Sequence, residues 1–192
     1  HNEESGRFIR FANQPDNSAS LADNFVSSII EDYYGNLWIG TRGGLVMHHP
    51  GTELFDYVYA DYSGIRISLV GCLEFDQDGN LWVGTEEGLY KLTPGNSSPM
   101  TPGNCRIKRY LKSPGTPGTI SGNYIISIYS DRNGIVWFGT YGEGLNKLVT
   151  DPDSGEETFV NYTGNDGLVN NIVYGILGDD NGNLWLSTDN GL

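Results

Sequence analysis

Apolar positions in this chain fall in short alternating runs, and the runs recur. Val26 and Ile29, Val70 and Leu73, Ile125 and Ile128, and Val173 and Ile176 each belong to a stretch that ends at an aspartate three residues before a glycine. A second short run follows each glycine: "GNLWIGTRGGL" at 35 to 45, "GNLWVGTEEGL" at 79 to 89, "GIVWFGTYGEGL" at 134 to 145 and "GNLWLSTDNGL" at 182 to 192. Runs this short, alternating with period two and bounded by Gly, Asp and Asn, predict β-strands. No segment sustains a helical period.

The tryptophans Trp38, Trp82, Trp137 and Trp185 are 44, 55 and 48 residues apart, a spacing that suits one four-stranded propeller blade per repeat. In the first complete unit strand a is predicted over 25 to 31, strand b is "LWIGT", strand c "LVMHH" and strand d "LFDYVY". The later units offer "LYKL" with "CRIKRYL" and "LNKLV" with "TFVNY" as their c and d strands. Units at about 12 to 59, 60 to 110, 111 to 162 and 163 to 192 follow, the last with a and b alone; "RFIRF" at 7 to 11 reads as strand d of a preceding unit. The expected fold is an all-β propeller of four-stranded antiparallel blades, about four repeats in an open or partial ring. Open ends leave unpaired strand edges, so either further blades of a parent chain or a second copy are expected partners. The proline-bearing segments "TPGNSSPMTPGN" and "KSPGTPGTISGN" are expected surface loops.

Within strand b, Trp38 and Gly40 share one face while Leu37 and Ile39 share the other. A large ring beside an empty position makes a knob and a slot for packing one blade on the next, and Ser187 replaces the slot glycine in the last unit. The aspartates Asp32, Asp76, Asp131 and Asp179 stand just before Gly35, Gly79, Gly134 and Gly182, where strand a must turn into strand b. Their side chains are expected to accept the turn's own amides, a structural duty rather than metal binding or catalysis.

Charge narrows the partners. A formal net charge of -13 repels nucleic acid, whose binders need a basic footprint. It equally disfavours an anionic membrane surface, and no run reaches the roughly 18 apolar residues of a membrane helix. No cofactor or metal is called for: the two cysteines make no CxxC pair and have no histidines at ligand spacing.

The pattern V-x-x-I-x-x-D-x-x-G-N-L-W-I-G-T-x-x-G-L resembles the two-component regulator propeller repeat of periplasmic sensor regions in bacterial hybrid histidine kinases. The resemblance covers essentially the whole chain and is specific at "NLWIGT". It implies a seven-bladed sensor of glycans or their breakdown products that signals to a kinase, of which four repeats would be an excerpt. A periplasmic location and a glycan or other small ligand are implied with it, and no catalysis by this chain. The turns after strands d and b share one propeller face, and residues that vary there between units are the ligand candidates: Arg42, Tyr62, Arg66, Glu86, Asn123, Tyr124, Tyr141, Glu143, Asn171 and Asp189. Tyrosines offer apolar faces for sugar rings, and polar groups fix hydroxyls. Asn24, Asn123 and Asn171 recur, so they also read as turn formers with Asx or left-handed geometry.

A lyase or hydrolase propeller and a protein-docking scaffold are the rival readings. "NGIVWFGT" is similar to a strand of propeller lyases, but such sites need histidines or clustered carboxylates on inner strands. His48 and His49 are adjacent in a strand c, so they point to opposite faces and cannot chelate one ion. Cys72 on strand a and Cys105 near strand d are separated by two strands, too far for the roughly 6 Å between Cα atoms that a disulfide needs. The two thiols are therefore expected to be free.

Overall fold

In the computed structural model the described residues are 6–60, 64–95 and 99–192. Fourteen strands form four antiparallel sheets in chain order. Blade 1 holds β1 (Val26–Glu31), β2 (Leu37–Thr41), β3 (Gly44–His48) and β4 (Phe55–Tyr57). Blade 2 holds β5 (Val70–Phe75), β6 (Leu81–Thr85), β7 (Gly88–Thr93) and β8 (Arg106–Tyr110). Blade 3 holds β9 (Ile125–Ser130), β10 (Val136–Thr140), β11 (Leu145–Thr150) and β12 (Glu157–Tyr162), and β13 (Val173–Gly178) with β14 (Leu184–Thr188) form a two-stranded fourth sheet. The expected all-β, open propeller architecture is what the chain adopts. One short 3-10 turn, Gly164–Asp166, interrupts the strands.

The segment 7 to 11 departs from expectation, since no strand spans it. A strand exists only through its ladder, and a d strand needs the c strand of its own blade beside it. Instead, Phe11 packs on blade 1, its ring 5.2 Å from His48 and 5.4 Å from Phe55. Leu21 and Ala22 are buried beyond it against Ile39, Val46 and Phe55. The N-terminal stretch thus covers the face that a preceding blade covers in the other units.

The a-to-b turns explain the aspartates and glycines together. One oxygen of Asp76 accepts the amides of Asp78 and Asn80 at 3.0 and 2.9 Å. Its other oxygen accepts the indole N–H of Trp82 at 2.8 Å. The same pair of duties falls to Asp32, Asp131 and Asp179, whose indole bonds to Trp38, Trp137 and Trp185 measure 3.2, 3.4 and 3.0 Å. The glycine that follows sits at φ 77 to 83° in all four turns, the left-handed region where a side chain is costly.

Packing between blades follows the alternation. Trp38 is fully buried against Ile67, Val70, Leu81 and Val83 of the next unit, and Trp82 against Ile125, Val136 and Phe138 of the one after. Beside each ring lies the slot. A Cβ added at Gly40 would stand 2.5 Å from Val70 Cγ1, at Gly84 3.0 Å from Ile125 Cγ2, and at Gly139 2.5 Å from the Val173 carbonyl oxygen. The first residue of each following strand a is therefore the knob. Polar threads cross the same seam: Ser27 Oγ donates to the Val70 carbonyl at 2.5 Å, and Ser127 Oγ to that of Val173 at 2.7 Å. Cys72 Sγ makes the weaker equivalent with Ile125 at 3.9 Å, and burial pushes its thiol up to about 12. Both cysteines are free, as expected.

In blade 4 the pairing is exchanged. Ser28, Cys72 and Ser127 stand opposite the slot glycines of the first three blades, whereas Gly175 stands opposite Ser187. A serine would collide in any of the three closed slots, which only glycine fits. At 187 no following blade lies against the strand among the described residues, and Trp185 is accordingly 49% exposed.

The outer strands of blades 2 and 3 are joined by charge. Glu157 pairs with Lys91 at 2.5 Å and Lys108 at 2.9 Å, and accepts the Tyr110 hydroxyl. Burial opposes the charge on Glu157, yet the bonds from Lys91, Tyr110 and Lys108 hold its pKa at about 2.

Two stability predictions follow from the seams. Trp82→Ala removes a ring closed between blades and is expected to cost about 3 to 5 kcal/mol, whereas Trp185→Ala is expected to cost about 1 kcal/mol or less. Urea unfolding of both variants checks the contrast, and equal losses would contradict the interblade role. Glu157→Gln is expected to lower stability by about 2 kcal/mol at neutral pH. Because the folded pKa lies below the ordinary carboxylate value, the contribution of Glu157 is present above about pH 4.5 and is lost as pH falls toward 2. The difference between wild type and variant should therefore shrink over that interval, measured by thermal melts from pH 7 downwards.

Candidate functional site

The d-to-a and b-to-c connections lie on one face of the propeller, and backbone bonds fix them to each other. Within blades, the amides of Arg42, Glu86 and Tyr141 donate to the carbonyls of Phe25, Leu69 and Tyr124 at 3.2, 3.2 and 2.9 Å. Between blades, Leu69 N–H donates to the Arg42 carbonyl at 2.9 Å. The motif threonine shapes each b-to-c turn: Thr41, Thr85, Thr140 and Thr188 donate through Oγ1 to the carbonyls of Gly44, Gly88, Gly144 and Gly191 at 2.7 to 2.8 Å. The residue after that threonine is thereby held outward in every unit.

The side chains so presented form a strip across all four units. Arg42 lies over the Phe25 ring at 5.1 Å. Tyr124 and Tyr141 lie 5.2 Å apart at 31°. The Tyr124 hydroxyl is raised above the ordinary range by burial and then by the nearby Glu86 carboxylate; Tyr141 adds to this and Arg42 opposes it. Tyr174 is raised by burial, then by Asp189 and Tyr141. These couplings run from Arg42 through Glu86, Tyr124 and Tyr141 to Tyr174 and Asp189. A shallow cavity of about 280 Å³ opens among Phe25, Arg42, Leu69, Glu86, Tyr124 and Ile126. At its edge Leu69 has φ 53°, the one non-glycine residue in the left-handed region among the described residues, a strained conformation of the kind found at binding sites.

Five of the ten candidates from the sequence thus meet: Arg42, Glu86, Tyr124, Tyr141 and Asp189. Arg66 places its guanidinium 4.2 Å from the Tyr57 ring centre rather than among these side chains, and Tyr62 falls outside the described residues. Glu143 pairs with Lys112 at 2.9 Å. The oxygens of Asn123 and Asn171 accept the amides of Lys112 and Gly164 at 2.8 and 2.9 Å, as Asn24 accepts that of Asn13. None of the three has left-handed φ; they clasp the whole d-to-a loop rather than a local turn. Phe25 and Tyr174 were missed. Phe25 occupies the position of Tyr124 in its own unit and was findable by aligning repeats, whereas Tyr174 sits at a β-bulge that shifts the alternation by one. His48 is buried with Nε2 on the Thr52 carbonyl at 2.9 Å, and His49 contacts Asp56 at 3.0 Å. The strip therefore offers aromatic faces, two carboxylates and a guanidinium, and His48 and His49 lie elsewhere.

The two component regulator propeller pattern matches residues 20–43, 64–87, 119–142 and 167–190. The chain belongs to this family. Its repeats span the end of the d-to-a connection, strands a and b, and the turn that carries the strip. Two solved relatives are extracellular domains of putative hybrid two component systems from B. thetaiotaomicron, 25% and 26% identical with TM-scores of 0.68 and 0.67. Each alignment covers 91% of this chain and 22% of the relative, so the regulator propeller spans under a quarter of their length. A virginiamycin B lyase from Staphylococcus aureus shares the fold alone, at 17% identity, TM-score 0.58, with 94% of this chain and 53% of the lyase covered. No curated protein matches. Among the described residues, no helix is long and apolar enough to cross a membrane, and no three His, Cys, Asp or Glu side chains converge as metal ligands would.

Proposed function

We infer that this chain is a non-catalytic, ligand-sensing part of the periplasmic region of a hybrid two-component sensor, and that its ligand is a neutral or weakly charged oligosaccharide. The observation that carries the reading is the Tyr124–Tyr141 pair flanked by Glu86 and Arg42 on one open face. Two adjacent phenol rings offer apolar surface to the C–H face of a sugar, and the flanking groups accept and donate to its hydroxyls. The family and its extracellular relatives in hybrid systems support the sensing role and the location. A net charge of -13 slows the approach of strongly sulfated glycans. Since each blade lends a side chain to the strip, a bound ligand touches several blades at once, which gives sensing a mechanical route into the rest of the receptor.

Calorimetry with a panel of neutral oligosaccharides tests this. Tyr141→Ala is expected to weaken the binding glycan by about tenfold or more, as loss of one stacked ring costs over 1 kcal/mol. Arg66→Ala, whose guanidinium lies on the Tyr57 ring, should weaken it less than Tyr141→Ala. Affinity indifferent to Tyr141→Ala would overturn the placement, and turnover of any glycan would overturn the non-catalytic reading.

A further inference from the structure

The a-to-b turns, on the opposite face, share the D-x-x-G sequence but not their middle residues. These are Gln77-Asp78, Arg132-Asn133 and Asp180-Asn181 in three units, and Tyr33-Tyr34 in the first. In the second and third units the first middle residue is a strut to the next turn. Gln77 Nε2 donates to the Asp131 carbonyl at 2.9 Å, and Arg132 pairs with Asp180 at 2.5 Å. Tyr33 is no strut. It is 96% exposed and stands edge-on to Tyr34, ring centres 5.5 Å apart at 88°. Where the strut would run, a cleft of about 400 Å³ separates the first and second turns.

The chemistry of this cleft is uneven. Its floor is apolar, from Phe75, Pro94 and Met100, and the two tyrosines make walls at right angles. Asp32 and Asp76 also line it, but their oxygens are engaged by turn amides and indoles. Of the lining carboxylates, only the exposed Glu31 is left unengaged by the turns, and the lining also includes Gln77 and no Lys or Arg. Tyrosine faces attract a positive charge held within about 6 Å, more so where it is partly desolvated. A carboxylate at the rim neutralises that charge, and an apolar floor accommodates its methyl or methylene groups. An anion would be repelled by the unpaired carboxylate, whereas a cation gains charge neutralisation from it as well as attraction to the rings.

We propose that the Tyr33–Tyr34 cleft is a second ligand site, for a small organic cation of the alkylammonium class, on the face opposite the aromatic strip. It is independent of the carbohydrate reading, because no residue is shared between the two sites. The test uses the intact chain with choline and its uncharged carbon isostere, dimethylbutanol, followed by nuclear magnetic resonance titration. Saturable binding of choline is expected, with the isostere about tenfold weaker or absent. Tyr33→Ala and Glu31→Gln should each weaken choline about fivefold or more without moving the melting temperature, since both side chains are exposed. Tyr141→Ala should leave choline binding intact. Equal affinity for the isostere, affinity unmoved by Tyr33→Ala, or no saturation up to roughly 50 mM would each overturn the proposal.

Discussion

The architecture rests on a steric rule at one position of strand b: the residue two after the tryptophan must have no side chain where a β-branched residue of the next blade enters. At Gly40, Gly84 and Gly139 an added methyl group would overlap the neighbouring blade, so the seam closes only because the slot is empty. Close packing of this kind leaves no slack to absorb even one carbon. Once the knob is seated, the tryptophan beside it is sealed from water in the first two blades, as at Trp38 and Trp82. Its indole N–H then needs a partner inside the blade, because an unsatisfied buried donor is costly. The aspartate of the a-to-b turn supplies it, and the same carboxylate holds the turn. Slot, ring and carboxylate are thus one interlocked device repeated along the chain.

Because that device occupies fixed positions, the freedom left to each unit lies at the turn tips. The strip on the upper face and the tyrosine pair on the lower face both arise at positions that the seam does not dictate. Neither belongs to a single blade. The strip needs side chains from successive units at a set spacing, which the slots enforce, while the lower cleft lies between two turns where other units place a strut. Rigid seams and variable tips divide the work between holding geometry and presenting chemistry.

The repeat made the seams legible in the sequence, since Trp38 and Gly40 fall on one face by simple alternation, and the period set the blade. The aspartate's hold on its own turn was equally readable. Its second bond, to an indole six residues on, was not, because that contact exists only after the two strands have folded back on each other. At the site, Tyr124, Tyr141, Glu86, Arg42 and Asp189 were found by asking what varied between units. That criterion also selected Glu143 and Arg66, whose partners Lys112 and Tyr57 come from other strands or loops that sequence spacing does not bring together. Tyr174 escaped because a bulge turns it out of the expected alternation. Tyr33 and Tyr34 were passed over because they sit inside a motif read as structural throughout.

The exchange of Gly175 and Ser187 makes the blades non-equivalent in a directional sense. Units 1 to 3 carry the hydroxyl or thiol on strand a and the void on strand b; unit 4 carries the void on strand a and the hydroxyl on strand b. The slot face of strand b in unit 4 is thus contoured differently from the one that each earlier unit shows its successor. The repeats are therefore keyed modules at this position: a serine in the slot of any of the first three units would meet the next blade, so the units are not interchangeable although each keeps its family pattern.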